Sequence, residues 1–599
     1  MERVKMVRET DKKFFADGRT EWTVVLEGTG YLAELARAEL KNFFNKCTDA
    51  ILKDGTTDAR KYIWLGERAH AEKYGVFLPK ETNGAGFTIQ TAGDCVYICG
   101  ASGYGVLYGV YEFLNVYFDF EGLTEDAVYY RELQEGYFKE LKIFDEPDVE
   151  WRIVNYGMLE KFGPKTAAYE PFRRLRLNHF DDALMKPGGY FCHNYCVVIK
   201  PEEFKQEHPQ WFSEGKFAGE QLCFSRDFDG LKKEVVQRLK DVIVAHPEVG
   251  VLNFSQTDSA GWCECESCRK EKEKYGTDAA IAIKFLNAVV REINPWLEKE
   301  QNGRKVTFSM FAYQSTEEAP VKVENGEYVP VDDSVVMEDN VTIFFAPCVA
   351  DYYRDFYDEA NAFYFEQMKK WRVISKQMHF WTYDLWGKSY LFPHYTFSSK
   401  QGNFRFVKES GVSLYFNQGQ FTQKTPVDFG RMKMYLDAKM SWDTTLDMNV
   451  LVDNFLQKYY LDAAPAMREY YENYCDWHNY LIRNTELKGE CFSHESFYAM
   501  YYPEVVLDGW NKNLDAAVAA IQKYETENPD LWARLRDRIE VERLTIRYMK
   551  IRFYAQRFND RELWAEQEKF LSDAERLGVL CMSESRRISY LREEWHISA

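Results

Sequence analysis

Short runs of apolar residues recur along the middle of the chain, and each of them ends in polar residues. Runs of this length, bounded by polar loops, are typical of buried strands. Eight of them lie between residues 150 and 440, separated by segments long enough for a helix. They cover residues 152–156, 174–180, 221–225, 251–257, 305–313, 341–347, 378–383 and 412–417. Eight strand–helix units over roughly 290 residues predict an α/β fold of the (β/α)8 TIM barrel type.

The pattern before the predicted barrel is different. Strands are predicted at residues 22–27 and 62–65, a hairpin at 86–90 and 95–100, and helices at 31–44 and 105–118. These elements predict a small α/β domain. The glycines at 100, 103 and 105 lack the G-x-G-x-x-G spacing of a dinucleotide loop and indicate a tight turn from strand to helix.

After residue 440 the strand pattern stops. Residues 450–460, 470–482, 514–525 and 531–556 have helical periodicity, and Trp532, Leu535 and Ile539 share one apolar stripe. Proline at position 147 breaks the pattern before the barrel. We therefore predict three domains: an α/β domain at 1–146, a barrel at 147–440 and an α-helical region at 441–599.

Composition narrows the classes of partner. The net charge is -19, and no run of Lys or Arg stands out, so we expect no nucleic-acid partner. No stretch has the ~18 uninterrupted apolar residues of a membrane span, and the N-terminus lacks the apolar segment of a signal peptide. We expect a cytoplasmic protein, or a periplasmic or cell-surface one if a leader has been removed. The oligomeric state stays open.

The carboxyl ends of barrel strands carry the chemistry in TIM-barrel enzymes. Three acids at such ends are catalytic candidates: Asp182, Asp258 and Asp384. Polar and aromatic neighbours are candidates for substrate binding: Asn178, His193, Gln256, Tyr313, Tyr383, Trp386, Asn417 and Gln418. Acids facing one cavity favour general acid and base catalysis. For Asp182 and Asp384, helix capping is the alternative interpretation.

Three cysteines lie within six residues, at positions 263, 265 and 268. Closely spaced thiols in a chain without a disulfide framework favour Zn²⁺. A closed zinc site needs a fourth ligand, for which Cys223 is the first choice and His193 and Cys196 are alternatives. Four thiolates would make the metal structural, and we expect no cofactor for catalysis. A loop of free cysteines is the other interpretation.

Several segments carry a resemblance to a known family. The segment from Phe254 to Asp258, continuing through Gly261 to Cys268, resembles the C-x-C-x-x-C signature of a bacterial domain-of-unknown-function family abundant in gut organisms. Further matching segments are 193–195, 208–212, 221–225, 311–314, 380–383, 418–419 and 458–460. The resemblance covers residues 150–475. The segment 105–114 resembles the α/β domain that precedes the barrel in α-glucuronidases and β-hexosaminidases.

The resemblance implies a glycoside hydrolase, because the characterised branch of that family contains endo-β-N-acetylglucosaminidases acting on N-glycans. It implies Asp258 as the proton donor, with Asp384 or Asp182 as its partner. Two positions depart from the family pattern: Asn417 stands where an acid is expected, and Thr382 stands where relatives have Asp. Asp258 also lacks a neighbouring acid. The alternatives are a catalytically silent glycan-binding relative and a glycosidase of another specificity, such as an α-glucuronidase.

Overall fold

The computed structural model describes residues 2–157, 170–178, 191–247, 249–493 and 497–595. The chain divides into two compact units. The first unit comprises Met1–Glu150, Thr166–Leu177 and Met434–Pro465. The second unit comprises Trp151–Lys165, Asn178–Lys433 and Ala466–Ala599. The predicted division into three domains stays a prediction.

The first unit is built on an eight-stranded mixed sheet. Its strands include β1 (Val4–Ala16), β2 (Arg19–Thr20), β3 (Thr23–Glu27), β4 (Lys53–Asp54), β5 (Tyr62–Glu67), β6 (Phe87–Ala92) and β7 (Cys95–Gly100). Short strands β8 (Glu121–Gly122) and β9 (Val128–Tyr129) pair separately, and β10 (Glu135–Asp145) returns to the large sheet. The sheet order is β2-β1-β10-β6-β7-β5-β3-β4. The predicted hairpin is present as β6 and β7, which pair antiparallel.

The glycine-rich segment after β7 is a turn into the helix Gly103–Phe118. Ser102 caps that helix by accepting a hydrogen bond from the Tyr104 amide at 3.2 Å. A Cβ at Gly100 would lie 2.2 Å from the Val106 nitrogen, so the turn requires a residue without a side chain. These glycines therefore serve close packing of helix and strand.

The second unit contains a six-stranded parallel sheet. Its strands are β11 (Trp151–Asn155), β12 (Val251–Asn253), β13 (Thr307–Ala312), β16 (Val341–Phe345), β17 (Met378–Tyr383) and β18 (Val412–Gln418), with a small hairpin of β14 (Val321–Glu324) and β15 (Glu327–Pro330) between them. The order is β11-β18-β17-β16-β13-β12. Nearly every residue of these six strands is buried, which is typical of parallel sheets covered by helices.

Six of the eight predicted barrel strands are thus strands, and the helices between β12 and β13 and after β16, β17 and β18 fit the predicted alternation. The longer helices of the chain are Tyr31–Thr48, Gly103–Phe118, Phe228–Ala245, Glu266–Tyr275, Ala279–Glu300, Ala362–Ile374, Phe397–Glu409, Gly430–Trp442, Met448–Tyr460, Ala464–Asn484, Glu504–Ala520, Pro529–Phe553 and Asp560–Leu577. Shorter ones are Arg68–Ala71, Glu170–Arg173, Tyr195–Val198, Pro201–Phe204, Tyr524–Glu527 and Tyr590–Glu594. Within the described residues no helix has the length and apolarity needed to cross a membrane.

The predicted strands at 174–180 and 221–225 are wrong where the structure describes them. Residues 174–176 form a turn after a short helix, and Arg176 has a left-handed φ of 58°. Residues 221–225 make only an isolated antiparallel bridge, between Leu222 and Phe212. The backbone there bonds to the preceding loop, with the Cys223 amide donating to the Trp211 carbonyl at 2.8 Å. A closed eight-stranded barrel is therefore not observed in the described residues.

Buried charges lie beside the parallel sheet in the second unit. Lys400 Nζ contacts Asp384 Oδ2 at 2.6 Å, and Lys433 Nζ contacts Asp428 Oδ2 at 2.6 Å. Glu542 accepts a hydrogen bond from the Phe429 amide at 2.8 Å. We call these five charged side chains the buried charge cluster. Buried ion pairs of this kind fix the arrangement of the surrounding elements, because separating the partners leaves an unpaired charge.

The pKa of Glu542 makes stability depend on pH. Burial raises this pKa from 4.5 to about 8, and the hydrogen bond from Phe429 opposes the rise. Asp428, Lys433 and Arg431 are the charged groups that act on it. Because the folded chain holds this proton more tightly than the unfolded chain does, Glu542 destabilises the fold as pH rises from about 4.5 to about 8.

We expect Glu542→Gln to remove that loss. The variant keeps an oxygen that can accept from Phe429, but it carries no ionisable proton. The free energy of unfolding of the variant, relative to that of the wild type, should increase from pH 5 to pH 8 by about 1.4 kcal/mol for each pH unit, and the thermal unfolding midpoint should rise with it. Glu540→Gln, a partly exposed position on the same helix, is the control. A difference between wild type and Glu542→Gln that is the same at both pH values would contradict the assignment.

Candidate active site and cysteine cluster

A cavity of ≈ 320 Å³ opens in the second unit where the parallel strands end. Its lining comes from the ends of β11, β13, β17 and β18, from loops that follow the strands of the parallel sheet, including β12 and β16, and from the C-terminal part of the chain. The lining residues are Asn155, Phe191, Cys192, His193, Asp258, Phe311, Tyr313, Ala346, Trp381, Tyr383, Gln418, Phe421, Phe492 and Glu584. Strand ends meet at one edge of a parallel sheet, which is why residues distant in sequence converge here.

Five of the residues predicted to form the site line this cavity: Asp258, His193, Tyr313, Tyr383 and Gln418. The carboxylate of Asp258 is exposed, and its Oδ1 accepts a hydrogen bond from the Tyr313 hydroxyl at 3.1 Å. Burial raises the pKa of Tyr313 and of Tyr383 above 10, so both phenols keep their protons and can donate. The cavity thus holds an acid that is hydrogen-bonded to one neutral phenol, Tyr313, and a second neutral phenol, Tyr383.

The imidazole of His193 is held by the strand-end backbone. Its Nδ1 lies 3.0 Å from the Gln256 carbonyl oxygen. His193 has a left-handed φ of 49°, and Gln314, next to Tyr313, has a φ of 52°. Non-glycine residues in this conformation are strained, and such strain concentrates at functional sites. His193 lines the cavity, and Gln314 follows Tyr313, which also lines it.

Other predicted residues lie outside the cavity lining, among the described residues. Gln256 is buried and donates to the Tyr313 carbonyl at 2.9 Å, so it braces the loop that holds Tyr313. Trp386 is buried, and its indole donates to the Pro393 carbonyl at 2.5 Å. Asn178 pairs with the backbone of Arg152, and its own backbone N–H donates to the Arg152 carbonyl at 2.8 Å. Asp182 lies outside the described residues.

Asp384 and Asn417 belong to the buried surroundings of the cavity. Asp384 is 3% exposed, and Asn417 donates to its Oδ2 at 3.0 Å. Burial acts to raise the pKa of Asp384, but the charges of Lys400 and Lys433 outweigh it and hold that pKa below its usual range. Asp384 is therefore an ionised partner of two lysines, and the structure keeps it out of the cavity that Asp258 lines. An acid in place of Asn417 would put two carboxylates in contact.

Glu584 lines the cavity and was not predicted from the sequence. It lies in the C-terminal loop, residues 578–588, which hydrogen bonds repeatedly to the loops after β17 and β18. The Tyr390 amide donates to the Met582 carbonyl at 2.7 Å, and Gln423 Nε2 donates to the Cys581 carbonyl at 2.7 Å. No local motif marks position 584, so sequence spacing held no signal for it. Asn155, by contrast, ends the first predicted strand and could have been included by the rule used for the other strands.

The surroundings of Glu584 change its acidity. Burial raises its pKa from 4.5 to about 7, and the negative charge of Asp258 adds to the rise. A hydrogen bond from Gln418 Nε2, at 2.6 Å from Glu584 Oε1, acts in the opposite direction. The cavity thus holds two carboxyl groups with different environments, one solvent-exposed and one desolvated. Such pairs separate into an acid and a base in many hydrolases.

The four predicted metal-ligating cysteines lie together. Cys223, Cys263, Cys265 and Cys268 are all buried, and their sulfurs are within 4.8 Å of one another. The Cys223 sulfur lies 3.7 Å from that of Cys265 and 3.9 Å from that of Cys268. Four sulfurs bound tetrahedrally at about 2.3 Å from one Zn²⁺ would be about 3.8 Å apart. The four thiols are therefore close enough to share one metal ion, and Cys223 is the fourth member of the group.

Comparison with solved structures shows the fold. A family GH115 4-O-methyl-α-glucuronidase with specificity for decorated arabinogalactans aligns over 95% of this chain and 77% of its own, with 12% identity and a TM-score of 0.56. A GH138 enzyme targeting pectin rhamnogalacturonan II aligns over 94% of each chain, with 12% identity and a TM-score of 0.46. The structure of CpGH84B aligns over 98% of each, with 12% identity and a TM-score of 0.46. The likeness to the first is one of fold: the chain has a glycosidase-like architecture.

Comparison at the level of sequence adds the family. No curated protein matches the chain. The model of the family described as "Domain of unknown function (DUF4838)" matches residues 124–472, more than half of the chain. The predicted membership of a domain-of-unknown-function family is confirmed, while the C-x-C-x-x-C signature and the relation to endo-β-N-acetylglucosaminidases stay predictions. The matched residues include the cysteine cluster and all cavity-lining residues except Phe492 and Glu584. The chain belongs to the DUF4838 family.

Proposed function

We propose that this protein is a glycoside hydrolase that cleaves its substrate in the cavity lined by Asp258 and Glu584. The observation that carries the proposal is the pair of carboxyl groups in one cavity, one of them with a pKa of about 7. Glycosidases need one carboxyl group to protonate the departing oxygen. They need a second carboxylate of the enzyme to activate water or to attack the sugar. The fold shared with a glycosidase supports the same reaction class.

Glu584 suits the role of general acid. A proton donor works best when its pKa lies near the working pH, and burial brings this group to about 7. From the sequence, Asp258 was expected in that role, with Asp384 or Asp182 as partner. Asp258, exposed and bonded to Tyr313, suits the second carboxylate instead, as base, nucleophile or orienter. Asp384 is engaged with Lys400 and lies outside the cavity lining.

The cavity favours an uncharged sugar such as an N-acetylhexosamine. No lysine or arginine is among its described lining residues, so a glucuronate carboxylate would face two acids with no cation in that lining. Aromatic side chains provide flat faces for a sugar ring, namely Phe191, Phe311, Trp381 and Tyr383. Asn155 is 7% exposed, and its Oδ1 has no partner in the described chain, so it can accept from an acetamido N–H or a hydroxyl.

A panel of substrates tests the proposal. We expect release of sugar from N-glycans or aryl β-N-acetylhexosaminides and none from aryl glucuronides. Release from glucuronides alone would leave a glycosidase but would contradict the assigned substrate class. Binding of glycans without release from any substrate would favour the catalytically silent alternative, for which Asn417 was the motivating residue.

We also propose that the cysteine cluster holds one structural Zn²⁺. Four thiolates complete a tetrahedral shell and leave no position for substrate, so the metal would tie the loop that follows β12 to residue 223. The cluster would therefore stabilise the loop that carries Asp258.

Replacing one ligand tests the metal site. We expect wild-type protein purified without chelator to contain about one zinc per chain by elemental analysis. Cys223→Ser should lose most of the zinc and unfold at a lower temperature. Cys95→Ser is the matched control, because Cys95 is a partly exposed thiol outside the cluster. Wild-type protein without zinc, with all four thiols open to titration, would rule the site out.

A further inference from the structure

Trp381, Gln418 and Glu584 form a hydrogen-bonded chain at the wall of the cavity. The Trp381 indole nitrogen lies 3.1 Å from Gln418 Oε1, and Gln418 Nε2 lies 2.6 Å from Glu584 Oε1. Trp381 and Gln418 are each 8% exposed, so water does not compete strongly for these bonds. Both residues lie on adjacent strands, β17 and β18, and the backbone of Gln418 pairs with Tyr383. Two of its three residues are thus placed by paired strands of the parallel sheet.

The order of donors along this chain is fixed by chemistry. An amide side chain has an oxygen and a nitrogen of similar shape, and its orientation follows from its partners. An indole N–H can only donate, so the amide oxygen of Gln418 must face Trp381. The amide NH2 must then face Glu584, and it too can only donate. Glu584 Oε1 is therefore an acceptor whether or not the carboxyl group is protonated.

The proton of neutral Glu584 consequently belongs on its other oxygen. Glu584 Oε2 makes no hydrogen bond to any described residue, and Glu584 lines the cavity. We propose that Trp381 and Gln418 are positioning residues that confine the Glu584 proton to Oε2, the oxygen left open for the substrate. The proposal rests on the proposed function, and it gives Gln418 a role other than contacting the sugar.

Donation from Gln418 also tunes the acid. The hydrogen bond stabilises the carboxylate and lowers the pKa of Glu584, against burial and the charge of Asp258. Lys388 is the cation that acts on the same group, and the neutral Tyr390 and Cys491 lie near enough to be influenced by it. Without Gln418 the remaining influences would keep Glu584 protonated to higher pH.

The test replaces Gln418 by methionine, which has a similar length and no donor. We expect the pKa of Glu584 to rise by about one unit, because a hydrogen bond to a charged group is lost. Infrared spectroscopy measures this pKa independently of catalytic activity. The carbonyl band of the neutral Glu584 carboxyl group, identified by its loss in Glu584→Gln, is followed against pH. Trp381→Phe keeps an aromatic ring and removes the N–H that orients the Gln418 amide, so the titration of the same band should also move to higher pH.

The pH profile of kcat/KM gives the second measurement. If Glu584 is the acid, the decline at high pH should move upward in Gln418→Met by the shift seen in the infrared titration, with a larger change in kcat than in KM. An infrared titration identical in wild type, Gln418→Met and Trp381→Phe would overturn the proposal. A shift in the infrared titration together with full activity in Glu584→Gln would support the positioning role of Trp381 and Gln418 but would contradict the proposed function.

Discussion

Glu584→Gln should lower the rate of hydrolysis of a natural glycosidic linkage by about 10²- to 10⁴-fold, the usual contribution of a general acid. The substitution keeps the shape of the side chain and removes only the proton that the departing oxygen needs. An aryl glycoside with a good leaving group needs little protonation, so its hydrolysis should fall much less. Comparing kcat/KM for the two substrate types therefore separates loss of the acid from damage to binding.

The matched control is Glu575→Gln, which alters an exposed carboxyl group in the helix Asp560–Leu577, just before the C-terminal loop. It should keep wild-type kinetics. An equal loss on both substrate types in Glu584→Gln would indicate a role in binding and would contradict the role of acid. Wild-type kcat/KM should also decline as pH rises through about 7, because the acid is then deprotonated.

The largest loss of stability is expected from Lys433→Met. Lys433 and Asp428 are both 1% exposed at the side chain, and Lys433 also donates to the His394 carbonyl at 2.7 Å. Removing the lysine leaves Asp428 buried beside the hydroxyl of Tyr474, without its cation. Breaking a buried pair in this way costs about 3–5 kcal/mol.

The double variant Asp428→Asn/Lys433→Met is the control for that prediction. It removes both charges, so it should recover a large part of the loss measured as the shift in the urea unfolding midpoint. Single and double variants of equal stability would show that the charge of Asp428 is not the cause. Because neither residue lines the cavity, activity per folded molecule should change little in the double variant.

Strands with continuous apolar runs could be predicted from the sequence, because burial on both faces requires apolar residues at nearly every position. β16 and β17 are examples. Residues 221–225 look similar in sequence but are held by Trp211 and the cysteine cluster, and contacts between distant segments leave no periodic pattern. Asp258 and Tyr313 could be found as strand-end residues of a predicted barrel.

Glu584 could not be found that way. The C-terminal loop lies more than 150 residues beyond β18 in the sequence, and only tertiary contacts bring it to the cavity. For Asp384 the sequence suggested a site residue, because an acid stands next to a strand end. Its partner in a buried ion pair, Lys400, lies 16 residues further on in a helix, and the sequence pattern does not show that pairing. The role of an acid depends on what lies around it, and that is set by the fold.

The most direct measurement is the rate of sugar release from an N-acetylhexosamine-containing glycan by wild-type protein and by Asp258→Asn, Glu584→Gln and the double variant. We expect release by the wild type, large losses in both single variants, and a loss in the double variant smaller than the product of the two, because the carboxyl groups act on one bond. Full activity in Asp258→Asn or Glu584→Gln, with the fold intact, would contradict this expectation.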